Sequence, residues 1–150
     1  MKFVASLVLA AVTSTLALSA HAQFAKPEDA IKYRKSALSV MGTHFGRVAA
    51  MANGRIPFDA AAAASNAAIA ETMSKLPYAA FGEGTDKGDT KARPEIWSER
   101  AKFNAAAEKM QGEMTKLAMV TKGGNLDAIK AQVGATGGSC KACHDDFRKE

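Results

Sequence analysis

Long apolar runs, basic blocks, strand-like alternation and cysteines are all scarce in this chain, and each scarcity narrows what it can be. After the first 22 residues no apolar run approaches the roughly 20 residues that a membrane span needs, so bilayer insertion is not expected of the remainder. Aromatic residues make up 7% of the 150, and the 20 lysines and arginines are interleaved with 15 acids. That pattern offers no contiguous footprint for nucleic acid; a solvated surface is its simpler reading. No stretch alternates apolar and polar residues over a strand's length, which argues against a sheet. The only two cysteines, Cys140 and Cys143, stand so close that a disulfide between them would cross-link almost nothing.

The N-terminus is of a different kind. Lys2 supplies a short positive segment, Phe3 to Leu18 is almost uncharged, and Ser19-Ala20-His21-Ala22 places small residues at the −3 and −1 positions of a signal-peptidase site. Residues 1–22 are expected to be a cleaved signal peptide and residues 23–150 one exported domain. Loss of Lys2 lowers the formal net charge from +5 to +4, and loss of His21 leaves His44 and His144 as the histidines of the mature chain.

What remains reads as helix. Pro27 opens a first helix toward Ala52, ended by Asn53-Gly54, with Ile31, Leu38, Met41, Phe45 and Val48 at three- and four-residue spacing. Pro57 or Asp59 opens a second through an alanine-rich run to Leu76, with Phe58, Ala62, Ile69, Met73 and Leu76 as its apolar stripe, interrupted by Ser65. From Tyr78 to Arg93 lies a loop rich in Gly, Asp, Lys and Thr, long enough to be a candidate cover for a cofactor. Pro94 opens a third helix to about Thr121, carrying Ile96, Phe103, Ala107, Met110, Met114 and Leu117. Asn125 caps a fourth, with Leu126, Ile129, Val133, Cys140, Cys143 and Phe147 on one face. Gly134, Gly137 and Gly138 weaken that helix but leave room beside it for a bulky planar group. The expected architecture is all-α, an antiparallel four-helix bundle.

Cys140-Lys141-Ala142-Cys143-His144 is a C-x-x-C-H sequence, the attachment signature of haem c. On a helix, residues three and four apart share a face. Two thiols can then add across the two vinyl groups of one porphyrin while the imidazole of His144 reaches its iron. A thioredoxin-like pair would sit near a βαβ pattern, which is absent, and a zinc site would need a further ligand. Only Asp145 to Glu150 follow the motif, so any sixth iron ligand must come from upstream.

Three stretches resemble the cytochrome c′ group of the class II c-type cytochromes: Gln23-Phe24-Ala25-Lys26-Pro27-Glu28-Asp29-Ala30, Arg93-Pro94-Glu95-Ile96-Trp97 and Gly138-Ser139-Cys140-Lys141-Ala142-Cys143-His144-Asp145. The resemblance implies a periplasmic homodimer of four-helix bundles that is not an enzyme. It also implies one covalent haem c, high-spin and five-coordinate, that binds nitric oxide and carbon monoxide. By the same resemblance Leu38 covers the sixth coordination site, and it cannot ligate because it has no lone pair. Arg34 and Lys35 match a pair at the haem edge, although glutamine is common where Lys35 stands. Arg148 would lie beside the proximal histidine, one turn beyond His144. Arg93 is a candidate partner for a propionate, since charge-assisted hydrogen bonds to carboxylates are strong. Phe81 is a candidate to close the distal pocket from the loop.

Two other functions fit the motif. Met41, one turn beyond Leu38, would make the protein a low-spin electron carrier if it ligated the iron; a redox partner would then be required. A peroxidase-like enzyme would need a distal acid–base group, and the first-helix stripe offers none on its inner face. His44 lies off that stripe and reads as a surface or partly buried residue.

Overall fold

The computed structural model describes residues 23–150. The expected signal peptide, residues 1–22, lies outside the described residues. Five helices follow in order: α1 (Pro27–Ala52), α2 (Ala60–Met73), the one-turn α3 (Glu95–Ser98), α4 (Arg100–Lys122) and α5 (Leu126–Phe147). Short connections fold α1 against α2 and α4 against α5, while α2 packs on α4 and α1 on α5, closing a four-helix bundle. The described residues contain no strand, only an isolated bridge between Ala92 and Arg148.

The helix boundaries follow from local chemistry. Pro27 stands in the first turn of α1, where its missing N–H costs nothing, and Glu28 and Asp29 face the helix dipole there. Gly54, at φ +69°, turns the chain away from the other end of α1 in a conformation that glycine adopts without penalty. Asp59 caps α2 by accepting from the Ala62 N–H at 2.9 Å, and Asn125 caps α5 by accepting from Ala128 N–H at 3.0 Å.

The bundle core gathers Met41, Val48, Ala67, Met110, Met114, Leu117, Ile129 and Val133. Val48, Leu117 and Ile129 are fully buried, each worth about 1.5–3 kcal/mol relative to exposure. A second, aromatic core lies beside it: Phe81, Phe103 and Phe147, with Ala92 and Ile96. Phe103 meets Phe81 edge-on at 5.0 Å between ring centroids and Phe147 at 5.4 Å, the geometry that ring quadrupoles favour.

Three expectations need correction. The buried face of α2 is not Ala62, Ile69 and Leu76 but Ala63, Ala67 and Ala70; Ile69 is 37% exposed, and the helix ends at Met73 rather than Leu76. Small residues face the bundle there because α2 packs closely on both α1 and α4. The helix expected from Pro94 to Thr121 is two helices, broken at Glu99, whose ψ of 45° leaves the helical region. Finally, Leu126 is 40% exposed and Thr136 and Ser139 take buried places on α5.

Candidate cofactor site

The last two turns of α5 carry Cys140, Cys143 and His144. Both cysteines are free and half-buried, and they touch different parts of the molecule. Cys140 packs against the bundle core, as Leu38 and Phe45 of α1 also do, whereas Cys143 packs against the aromatic core. The motif therefore stands at the junction of the two cores. Burial pushes both thiols above the ordinary cysteine range. His144 is pushed the other way, by burial first and then by the charge of Arg148, so the neutral imidazole that binds metals is favoured.

Space beside the motif comes from glycine. A Cβ at Gly137 would meet only the Phe45 ring, at 3.9 Å, and one at Gly138 would meet nothing within 4 Å. On the outer side an open cleft of about 680 Å³ is lined by Arg93, His144, Asp145, Arg148, Lys149 and Glu150.

The remaining expected site residues fall into two groups. Leu38 is half-buried against the bundle core and Met41 is buried within it, both on α1. Phe81 is buried in the aromatic core with Cys143. Arg34, by contrast, directs its guanidinium into the loop after α2. Nη1 donates to Ala80 O at 2.9 Å and Thr85 Oγ1 at 2.8 Å; Nη2 donates to Thr85 O at 2.6 Å and Thr90 Oγ1 at 2.8 Å. Its carbon lies 4.4 Å from the Phe81 ring centroid. Four of five N–H donors are thus spent on the loop. Lys35 reaches the same loop, pairing with Asp89 at 2.5 Å on the surface.

Arg93 Nη1 donates to the carbonyls of Asp145 and Asp146 at 3.0 and 3.3 Å, completing the C-terminal end of α5. Arg148 does not continue the helical face: α5 ends at Phe147, and Arg148 is extended, bridged to Ala92. Its charge still acts on His144. His44 Nδ1 donates to Asn66 Oδ1, 2.8 Å away on α2.

One residue at the site was not singled out from the sequence. Tyr78 packs against both cores, with its ring 5.7 Å from Phe103 and 6.3 Å from Phe81. It belongs to a 3₁₀ turn, Pro77–Ala80, inside the stretch read as loop. The three-residue spacing from Tyr78 to Phe81 was its sequence signal.

The family model for cytochrome c′ matches residues 29–148. The chain belongs to the cytochrome c′ family. It is 55% identical over 129 residues to cytochrome c′ of Rubrivivax gelatinosus, which covers 85% of the chain and all of that protein. Identity to cytochrome c′ of Alcaligenes xylosoxydans xylosoxydans is 50% over 128 residues, 85% of the chain and 99% of the relative. The crystal structure of the Rubrivivax cytochrome c′ superposes with a TM-score of 0.82, covering 85% of this chain and all of that one. A nitric oxide complex of a leucine-to-alanine mutant of cytochrome c prime from Alcaligenes xylosoxidans gives 0.80 at 48% identity, covering 85% and 99%.

A member of the cytochrome c′ family is a haem c protein, with iron as its metal. The donor set fits that group: two free thiols and a neutral-leaning imidazole on one helix end, glycine-made space, and apolar walls on both sides. Among the described residues no three or more His, Cys, Asp or Glu side chains are arranged to hold a metal ion alone. A porphyrin, which brings four nitrogens of its own, removes that requirement.

Proposed function

We propose that this family member is an exported periplasmic protein that reversibly binds nitric oxide and carbon monoxide at a high-spin, five-coordinate iron, and that it binds rather than transforms them. One haem, held by thioethers to Cys140 and Cys143, supplies the iron when bound. His144 holds that iron from α5, and its lowered proton affinity keeps the nitrogen free to do so. The observation that carries the reading is the apolar lining that α1 gives to the bundle core, the core that Cys140 also joins. Leu38 stands there as an apolar filler, able to exclude water yet shift for a diatomic, while Met41 is already buried in the bundle core at 8% exposure. The nitric oxide complex of the Alcaligenes relative supports the same reading. A homodimer through α1 and α2 belongs with it, with Val40 and Ile69 at 41% and 37% exposure as apolar residues to cover.

Absorption spectra of the holoprotein, oxidised and reduced, with and without carbon monoxide, test the proposal. A high-spin spectrum that shifts on carbon monoxide is expected, with faster carbon monoxide association in Leu38→Ala. A low-spin spectrum unmoved by carbon monoxide would establish Met41 as the sixth ligand and the protein as an electron carrier.

A further inference from the structure

Tyr78 brings a hydroxyl to a wall that is otherwise apolar. The α1 side chains that join the same core as Cys140, Leu38, Met41 and Phe45 among them, carry no hydrogen-bond donor. Tyr78 packs on the same core as Leu38 and Cys140, and also on the aromatic core that Cys143 joins. Its position is enforced. The Pro77–Ala80 turn lies on α1, and Arg34, one turn before Leu38, binds Ala80 O at 2.9 Å. Phe103 and Phe81 fix the ring from the other side, at 5.7 and 6.3 Å between centroids.

The phenol is protonated and available. Burial raises its pKa well above the ordinary tyrosine range. No side-chain hydrogen bond occupies its hydroxyl among the described residues. Among the described residues the one buried side-chain polar atom without a partner belongs to Glu95, so the Tyr78 hydroxyl lies within reach of water, which a bound ligand would replace. An O–H donor beside an iron pocket stabilises ligands that build negative charge on their outer atom, a standard lever on diatomic discrimination.

We infer that Tyr78 is the specificity-determining residue of the gas site, its hydroxyl donating to the diatomic held opposite His144. The inference rests on the five-coordinate reading above and goes beyond it, because it makes the pocket polar at one point and selective among diatomics. Leu38 controls access; Tyr78 controls which ligand stays.

The test uses the haem-loaded protein and Tyr78→Phe, which keeps the ring and removes the hydroxyl. Infrared spectra of the carbon monoxide complex are taken in H₂O and D₂O, and nitric oxide dissociation from the reduced protein is timed. The C–O stretch should rise in Tyr78→Phe, and only the native protein should show a D₂O shift. Nitric oxide should leave the variant about three- to tenfold faster, the loss of one hydrogen bond. Unchanged stretch and dissociation in a variant that still binds carbon monoxide would overturn the role of Tyr78 and leave the gas-binding reading intact. If the variant does not load haem, the native protein decides: a C–O stretch indifferent to D₂O overturns the inference. A native protein that refuses carbon monoxide would overturn both.

Discussion

Arg34 carries a positive charge to a position that is 2% exposed, and all four of its hydrogen-bond acceptors are neutral oxygens. Burial pushes its pKa down to about 10, which still leaves it protonated at neutral pH. The charge is tolerated because the Thr85 and Thr90 side chains, two backbone carbonyls and the Phe81 ring replace the lost water. Arg34→Met fills similar volume but leaves the carbonyls of Ala80 and Thr85 without their donor. It should cost about 2–4 kcal/mol in denaturant unfolding and speed amide exchange through residues 81–91. Lys35→Ala on the same loop should cost less than about 0.5 kcal/mol, because the side chains of Lys35 and Asp89 are 49% and 95% exposed. Sequence pattern could align Arg34 with a haem edge, but its partners lie 46 to 56 positions away, and no local rule names them. Equal stability losses in the two variants would refute the clamp.

At the scale of elements, legibility tracks the range of the interaction that sets each feature. The Asp59 and Asn125 caps, the Pro27 start and the Asn53-Gly54 stop each depend on residues within four positions, and all stand where the sequence places them. The cysteine and histidine spacing is local in the same sense, and it brings all three to one end of α5. The face of α2 depends instead on how near its neighbours come. Reading apolar size selects Ile69 and Leu76, but Ala63, Ala67 and Ala70, all fully buried, are what permits α2 to nestle between α1 and α4. The end of α5 at Phe147 is likewise set from a distance, by Ala92 and Arg93 pairing with the last residues. Ala67→Leu should therefore destabilise the bundle by about 1–3 kcal/mol through overpacking, although leucine is nearly as good a helix former as alanine. Thermal unfolding followed by circular dichroism measures this, and a neutral result would mean that α2 stands off far enough to accept the larger side chain.

For the whole molecule, the decisive fact is that the bundle has two unlike ends. At one end the chain closes on caps and glycine turns, around Met51 to Phe58 and the start of α5. At the other, the two cores meet at Cys140 and Cys143, and the segments that join them are the Pro77–Ala80 turn, the loop held by Arg34, and the C-terminal residues paired to Ala92. Cys140 joins one core and Cys143 the other, so a haem held at both cysteines, as proposed, would couple them. Without it, the second end keeps only its aromatic contacts and its loop hydrogen bonds. Anything that binds the folded form alone stabilises what it touches. A protein with Cys140→Ala and Cys143→Ala, freed of haem, should therefore lose stability unevenly. Amide exchange should quicken through residues 78–103 and 140–148, while residues 48–70 and 110–130, which pack the far end and the bundle core, keep their protection. Uniform loss of protection along the chain would show instead that the two cores melt as one unit and that the cofactor supports the bundle as a whole.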